Sequence, residues 1–301
     1  MSVLYRPATA DDLQPAMEAV AESLNDLERR HGFDGVSGPI DTTFAAFSLR
    51  DDPTGLWVAE DNGEIVGFGF SWHSDRLWFL ADLFVRPRLQ QGGIGAGLLN
   101  RTLQQARQHD AAHHALITFA YNRVSLGLYM RQNMFPRLPL YELAGAAAPL
   151  RNQAPTDNLK FDDISADVSA AGALESIDQA ALGLSRAKHH RFSLLDPKTR
   201  SLLFRGGDGT ALGYAYISSA GHAGPIAVNQ PEFMARAVRT ALTVAAGMDA
   251  KNVSVFLPGC CDEALAIALG NGLRLGRTMM LLSSKPFGNW TCYAPRGPGF
   301  M

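Results

Sequence analysis

The amino-acid sequence predicts an α/β protein of two tandem domains, each a mostly antiparallel, twisted mixed sheet with helices on both faces. Both halves of the chain show the same order of elements: a helix, antiparallel strand-like segments, then helix, strand, helix and strand. Meandering strands followed by a β-α-β crossover produce such a mixed sheet. The length of 301 residues fits one large domain or two of ordinary size.

The first half begins with a candidate capping box, Thr9 to Asp12, ahead of an amphipathic helix. Two strand-like segments follow, and the Asp61-Asn62-Gly63 turn between them is a strong hairpin signal. The remaining predicted elements are a strand over Leu77–Val85, a helix over 94–107, a strand over 115–120, a helix over 123–132 and a strand over 138–143.

An Ala-, Pro- and Asn-rich passage separates the two halves and predicts a linker over residues 146–159. The predicted domains are therefore residues 1–145 and residues 160–301. The second half has predicted helices near 165–182, 232–245 and 262–269, with strands near 201–205, 211–219, 225–228, 252–257 and 273–283.

Composition excludes several classes of protein. Hydrophobic residues make up 47% of the chain and its net charge is −2, so we expect a globular protein without a nucleic-acid partner. The sequence contains no apolar run of about 18 residues and no signal-type segment, so we expect no membrane partner. Three cysteines and no metal-type Cys/His spacing indicate a cytoplasmic protein without disulfides or metal.

The stretch LQQGGIGAGLL places Gly92, Gly93, Gly95 and Gly97 between a predicted strand and a predicted helix, where phosphates often bind. A Walker A loop is excluded because Leu98 follows Gly97, where that motif requires Lys. The dinucleotide fingerprint is disfavoured because its third glycine and its acidic residue are missing. The remaining pattern is Gln/Arg-x-x-Gly-x-Gly/Ala, and the alternative is a helix start that only packs tightly.

Three segments together resemble the GCN5-related N-acetyltransferases (GNAT), over about residues 3–145. They are Gln90–Gly95, the strand end Val85-Arg86-Pro87, and Asn122–Asn133, in which Asn133 stands where the family usually has glycine. The resemblance implies acetyl-CoA as co-substrate, with its pyrophosphate on backbone amides from Gln91 to Ala96. It also implies that the pantetheine arm runs along Leu83–Val85 as an added strand.

The expected cofactor site combines this resemblance with the physics of the loop. Glycines at 93 and 95 remove β-carbons that would block a phosphate, and the Gln90 side chain adds a donor. Arg86, Arg88 and Arg131 are expected to supply charge. The expected cofactor-binding residues are Leu83, Phe84, Val85, Gln90, Gln91, Gly92, Gly93, Ile94, Gly95, Ala96, Asn122 and Arg131.

Two catalytic residues are expected. Tyr129 occupies the position that the resemblance assigns to the acid that protonates the leaving thiol, and the alternative is a core tyrosine. Asp82 is the carboxylate of the Leu77–Val85 strand and the candidate base, and the alternative is a solvent-facing strand residue. Simple alternation puts it on one face with Leu80 and Phe84, unless a bulge intervenes. His73 is a second candidate base, more simply explained as a surface turn residue.

The second half is expected to be a degenerate GNAT-like domain that is structural or shapes the substrate cleft. At the strand end that is equivalent to Val85-Arg86-Pro87, Pro231 is followed by Glu232 and not by a glycine-rich loop. Ala268 stands where the first half has Tyr129. The basic run Arg186–Arg191 is interpreted as a solvated surface, with an anion site as the alternative.

The sequence therefore predicts an N-acetyltransferase that moves an acetyl group from acetyl-CoA to a primary amine of a small molecule. Direct transfer in a ternary complex is expected because no cysteine lies near the loop motifs. The alternatives are an inactive acyl-CoA-binding sensor or scaffold, and a protein N-acetyltransferase. We expect a monomer whose tandem domains mimic a dimer, or a weak homodimer.

Overall fold

The computed structural model describes residues 3–35, 40–151 and 157–301. The chain divides into two compact units. The first comprises Met1–Ile117, Tyr121–Phe135 and Ser283–Lys285, and the second comprises Thr118–Ala120, Pro136–Leu282 and Pro286–Met301.

The first unit is a mixed sheet with the strand order β1-β2-β3-β4-β5. Its first three pairings are antiparallel, and β4 pairs with β5 in parallel. Helix α3 connects β4 to β5, which confirms the predicted β-α-β crossover. The elements are β1 (Leu4–Pro7), α1 (Leu13–Arg30), α2 (Thr43–Asp51), β2 (Leu56–Asp61), β3 (Glu64–Ser74), β4 (Leu77–Val85), α3 (Ile94–Gln108), β5 (His113–Phe119) and α4 (Arg123–Met130).

Local signals in the first unit act as predicted. The backbone N–H of Thr9 donates to the Asp12 carboxylate at 2.7 Å, just ahead of α1. Asn62 and Gly63 have φ angles of 52° and 82° between β2 and β3. Two consecutive residues with positive φ form the hairpin turn that matches the right-handed twist of the flanking strands.

The second unit repeats this arrangement with the strand order β12-β6-β11-β10-β9-β8-β7, and β13 pairs with β10. Strands β10 and β11 are parallel and are joined by α8. The elements are β6 (Phe135–Ala146), α5 (Ala148–Arg151), β7 (Lys160–Asp163), α6 (Ala171–Leu182), α7 (Ala187–Leu195), β8 (Thr199–Arg205), β9 (Ala211–Ser218), β10 (His222–Val228), α8 (Met234–Ala246), β11 (Asn252–Pro258), α9 (Asp262–Gly270), β12 (Arg274–Ser283) and β13 (Tyr293–Ala294).

The division between the units differs from the predicted boundary after residue 145. Strand β6 pairs with β11 from Leu140 opposite Pro258 to Ala146 opposite Asn252, and it therefore belongs to the second unit. Part of the predicted linker, residues 146–159, forms α5, and its residues 152–156 lie outside the described part of the chain.

Arg186, His189 and His190 of the basic run around α7 are buried, which corrects its interpretation as a solvated surface for these three residues, whereas Arg191 is exposed. The Arg186 side chain is 1% exposed, and the Asp178 carboxylate lies 3.6 Å from its guanidinium. The same carboxylate accepts from Tyr214 at 2.5 Å and lies 2.8 Å from Nε2 of His190. The sequence does not reveal this pairing, because the partners come from α6 and β9.

Helix α3 approaches the sheet closely at two glycines of β3. A β-carbon at Gly67 would lie 3.0 Å from the Leu98 side chain, and one at Gly69 would lie 3.2 Å from Thr102. Leu98 and Thr102 are fully buried there. Small residues in β3 therefore allow the close packing that holds α3 beside the end of β4.

Candidate functional site

Strand β4 contains a bulge at the centre of the expected site. Phe70 of β3 pairs with Asp82, whereas the next residue, Ser71, pairs with Leu80, so Ala81 is the extra residue. Asp82 and Leu80 are therefore opposite consecutive residues of β3 and point to opposite faces of the sheet. This corrects the simple alternation that grouped Asp82 with Leu80.

The two parallel strands separate beyond this bulge. The pairing of β4 with β5 covers Leu77 to Leu80 and does not continue to the end of β4. The freed segment, Leu83–Val85, borders a cleft of about 180 Å³ in the first unit. The cleft is lined by Ser23, Leu27, Arg30, Leu83, Phe84, Val85, Leu89, Gln90, Gln91, Gly95, Asn122, Val124, Ser125 and Leu128.

Most of the expected cofactor-binding residues lie at this cleft. Leu83, Phe84, Val85, Gln90, Gln91, Gly95 and Asn122 line it. Gly92, Gly93 and Ala96 are exposed in the same turn, just outside the lining. The Ile94 side chain instead packs in the core, in a cluster with Val66 and Leu98. Arg131 follows α4 and lies outside the lining.

The turn before α3 presents a series of free backbone donors. No backbone N–H from Gln91 to Ala96 donates to an acceptor within the described part of the chain. Gln91 and Gly93 have positive φ angles of 68° and 83°, which fold the chain tightly ahead of the helix. Convergent amides at the positive end of a helix dipole form a binding site for an anion.

The four glycines of this turn have different structural reasons. A β-carbon at Gly97 would lie 2.5 Å from the Tyr5 hydroxyl oxygen, so a larger residue there would force the Tyr5 ring to move. At Gly93 the backbone has a left-handed conformation, which favours glycine over other residues. At Gly95 a β-carbon would make ordinary contact with Val85 at 3.8 Å, and at Gly92 it would lie 3.5 Å from the Leu89 carbonyl oxygen. Neither packing nor φ requires glycine at these two positions.

Gln90, Arg86 and Arg88 were expected to contact a phosphate, but in the structure their side chains contact other groups of the protein. The Gln90 side chain donates to the Val85 carbonyl at 3.0 Å, and Ser23 Oγ lies 2.8 Å from the same oxygen. Gln90 therefore ties the turn to the end of β4. Arg86 forms an ion pair with Glu22, and Arg88 pairs with Glu64 at 2.5 Å.

Arg30 is the cation among the residues that line the cleft, and the sequence analysis missed it. Its guanidinium lies 2.8 Å from Asp26, one turn earlier on α1. Ser23 and Leu27, on the same helix, were missed as well. The signal available in the sequence was a polar residue, Ser23, on the apolar face of an amphipathic helix. In the structure its side chain is buried, at 3% exposure.

Helix α4 forms another wall of the cleft. Asn122 begins the helix, and its side-chain oxygen accepts from the backbone N–H of Ser125 at 3.2 Å. Asn122 is therefore a helix cap as well as a lining residue. Val124 is 72% exposed and presents apolar surface, and Leu128 also lines the cleft.

The two expected catalytic residues adjoin the lining without contributing to it. Asp82 precedes Leu83, and its side-chain carboxyl has no hydrogen bond or ion pair with any described residue. Burial raises the pKa of Asp82 to about 7. Burial also raises the pKa of Tyr129 above its usual range, and the nearby Asp82 charge adds to that rise, whereas a hydrogen bond with Ser125 opposes it.

The second candidate base lies elsewhere. The His73 ring stacks on His109 with a centroid distance of 4.3 Å, and His109 contacts Asp52 at 3.1 Å. His73 is absent from the residues that line the cleft.

No group of three or more His, Cys, Asp or Glu side chains in ranges 3–35, 40–151 and 157–301 could hold a metal ion. No helix in those same ranges combines the length and apolar character needed to cross a membrane.

Part of the chain is similar to a known protein family. Residues 19–134 match the model of the acetyltransferase (GNAT) family. The uncharacterized N-acetyltransferase YhfO of Bacillus subtilis is 35% identical over 92 residues, which cover 29% of this chain and 62% of that relative. Over residues 19–134, within the first unit, the chain is therefore similar to the acetyltransferase (GNAT) family.

Solved structures extend the fold to the whole chain. A Pyrococcus horikoshii protein assigned as an acetyltransferase is 16% identical, with a TM-score of 0.76 over 99% of this chain and 96% of its own. A tandem GNAT protein from the clavulanic acid biosynthesis pathway is also 16% identical, with a TM-score of 0.61 over 95% of this chain and 99% of its own. The fold is therefore a tandem GNAT fold.

Proposed function

We propose that this protein transfers an acetyl group from acetyl-CoA to the primary amine of a small molecule, and that the first unit is catalytic. The observation that carries the proposal is the series of unpartnered amides from Gln91 to Ala96 beside the cleft at the end of β4. A pyrophosphate is the anion that such a turn accommodates, and the freed edge of Leu83–Val85 accommodates an extended amide chain.

The remaining lining suits the same cofactor. Gly95 and Gly92 leave space where side chains would fit, so a ligand that approaches the backbone is a reason for their glycine identity. Arg30 supplies positive charge for phosphate oxygens. Val124 offers exposed apolar surface that a bound cofactor would cover.

Acetyl transfer needs a base and an acid, and Asp82 and Tyr129 are proposed for these roles. The amine nitrogen attacks the thioester carbonyl carbon, and the Asp82 carboxylate accepts the proton that the nitrogen loses. The tetrahedral intermediate then collapses: the C–S bond breaks, its electron pair goes to sulfur, and Tyr129 donates its hydroxyl proton there. A base with a pKa of about 7 is well matched to this task near neutral pH.

The distribution of cysteines favours direct transfer. Cys260, Cys261 and Cys292 all belong to the second unit, and none of them lines the cleft of the first. A thiol that carries the acyl group in a covalent intermediate would have to reach that cleft. We therefore propose that donor and acceptor meet in one ternary complex.

The second unit is proposed to be catalytically degenerate. At the starts of α8 and α9 it has a cleft of about 310 Å³, whose charged lining residues are Glu232, Asp262 and Glu263. Carboxylates at a helix start interact favourably with the helix dipole, and their negative charge would repel a pyrophosphate. Ala268 of α9 carries no hydroxyl that could protonate a thiolate.

Thermal unfolding with and without acetyl-CoA tests the proposal first, and thiol release with a panel of small amines tests it second. We expect acetyl-CoA to raise the Tm of the wild type and not that of Gly95→Asp, whose carboxylate would enter the anion site. An unchanged wild-type Tm would contradict the proposal. A Tm shift without thiol release would favour an acyl-CoA-binding protein, and release with peptides alone would favour protein acetylation.

A further inference from the structure

We propose that the second unit contains a binding groove for an extended chain, and that its own internal segment (residues 290–294) fills this groove as a built-in ligand. The groove lies along residues 226–228 of β10, which correspond to the segment Leu83–Val85 that borders the open cleft of the first unit. One consequence rests on the proposed function: a filled groove leaves no place for a second acetyl-CoA.

Strand β10 has the same irregularity as β4. The pairing of β10 with β9 shifts register between Ala223 and Ile226, just as the pairing of β4 with β3 shifts around Ala81. The first paired residue after the bulge is Asp82 in the first unit and Ile226 in the second. The two strand ends are therefore equivalent, and the second carries an apolar residue where the first carries a carboxyl.

The parallel strands of the second unit also separate at this bulge. The pairing of β10 with β11 covers His222 and Ala223 and ends there. Pro225 follows in β10, and it has no N–H that could donate to a neighbouring strand. A strand edge that is freed in this way offers backbone donors and acceptors to an extended chain. The groove is therefore built in the same way as the freed edge of the first unit.

Strand β13, within the internal segment, pairs with this edge of β10. Tyr293 and Ala294 form an antiparallel ladder with the end of β10, and both are fully buried. Next to them, the backbone N–H of Val228 donates to the Cys292 carbonyl at 2.9 Å. This backbone pairing is the addition of a strand to a free edge, and here the chain supplies the added strand itself.

The internal segment is anchored on both sides of β13. Ahead of it, the Asn289 N–H donates to the Ala181 carbonyl at 2.7 Å. Beyond it, Nε2 of His222 lies 2.6 Å from the Arg296 carbonyl oxygen, which can only accept, so Nε2 carries the proton. Burial lowers the pKa of His222 to about 4, so its ring is neutral near pH 7 and keeps its N–H for this carbonyl.

The helix that follows β11 also contacts the internal segment. Cys261 begins α9 in the second unit, as Asn122 begins α4 in the first. The Cys261 thiol donates to the Trp290 carbonyl at 3.3 Å, whereas Asn122 lines the open cleft. The internal segment therefore lies in the second unit where the first unit has its cleft.

A tethered ligand excludes free ones. A segment on a short tether has an effective concentration of about a millimolar, so a dilute free ligand enters the groove only when the pairing of the segment is weakened. We therefore expect the second unit to bind no acetyl-CoA and the whole chain to bind a single one, in the first unit.

Binding of a labelled peptide of residues 286–301 tests the groove in the full chain. The alternation of an antiparallel ladder makes the Ala294 N–H donate to the Ile226 carbonyl, and Ala294→Pro removes this donor. We expect the peptide to bind the Ala294→Pro chain about tenfold more tightly than the wild type, whose groove is filled. Ala294→Gly keeps the N–H and is the matched control, so it should behave as the wild type. A peptide that carries the Ala294→Pro change itself should bind neither chain.

Two results of the peptide experiment would overturn the inference. One is equal binding to the wild type and to Ala294→Pro, and the other is no binding to either. If Ala294→Pro does not fold, His222→Ala weakens the anchor at Arg296 and gives the same comparison. Hydrogen exchange in the wild type is an independent measurement: we expect the Val228 amide to be protected, and exchange as fast as in an unstructured chain would overturn the inference as well.

Calorimetry with acetyl-CoA separates this inference from the proposed function. We expect one acetyl-CoA to bind to each wild-type chain. Two bound molecules would overturn the inference while the proposed function stands. Absence of any binding would overturn the proposed function, and the peptide experiment would still decide whether the internal segment fills the groove.

Discussion

Asp82 and Tyr129 interact electrostatically in the first unit, where the Asp82 charge raises the pKa of the Tyr129 hydroxyl. The first residue lies on β4 just after the bulge, and the second lies on α4. The Tyr129 side chain is 5% exposed and Asp82 is partly buried, and burial favours the neutral form of each. A pair with these properties can take a proton at one atom and give a proton at another near neutral pH.

The pH dependence of turnover should follow Asp82. Because the base must be ionised and its pKa is about 7, we expect kcat/KM to rise about tenfold per pH unit below that value and to level off above it. Asp82→Asn should lower kcat by about 10²–10⁴-fold and abolish this dependence. Thiol release measured across pH checks both expectations, with Asp61→Asn on the exposed hairpin as the control. An unchanged profile in Asp82→Asn would exclude Asp82 as the base.

Stability should depend on the same carboxyl. Between its ordinary pKa of 3.8 and about 7, the folded state binds a proton at Asp82 that the unfolded chain has released. Stability contributed by this group therefore falls as pH rises through that window. We expect Asp82→Asn to be more stable than the wild type at about pH 8, by roughly 2–4 kcal/mol, and this advantage to vanish near pH 4. Chemical denaturation at both pH values checks it, and an advantage independent of pH would contradict it.

Gly95 and Gly97 should respond differently to alanine. Gly97→Ala places a methyl group against the Tyr5 hydroxyl, and we expect it to lower the free energy of unfolding by about 1–3 kcal/mol. Gly95→Ala meets only ordinary contacts and improves helix propensity, so stability should hold or rise by up to about 1 kcal/mol. Gly95→Ala should instead weaken the binding of acetyl-CoA, which calorimetry measures. Equal losses of stability in both variants would contradict this assignment.

The stability of the second unit should depend on the buried carboxylate of Asp178. Asp178 is fully buried, and its carboxylate contacts Tyr214 and His190. Asp178→Ala leaves the Arg186 charge buried without that carboxylate, and we expect a loss of about 3–5 kcal/mol in denaturant unfolding. Asp249→Ala, at an exposed position, is the control and should change stability by less than about 0.5 kcal/mol. Similar losses in the two variants would contradict the expectation.

The order of elements and the tight glycine-rich turn before α3 could be predicted because their signals are local. The hairpin at Asn62-Gly63 and the glycines before α3 each specify the backbone of their own segment. Asn122 and Tyr129 carry the family spacing within one short helix. By contrast, Ser23 and Val85 are 62 residues apart, and only folding shows that Ser23 and Gln90 both contact the Val85 carbonyl.

By itself, the amino-acid sequence determined the resemblance to one family, the tandem order of elements and the position of the glycine-rich turn. These features follow from periodicity, turn residues and motif spacing, which act over a few residues. The tertiary structure decided which face Asp82 occupies, which glycines serve packing, and which arginines are already paired. These depend on a bulge in β4 and on partners from distant segments, whose burial and charge arise only when the chain is folded.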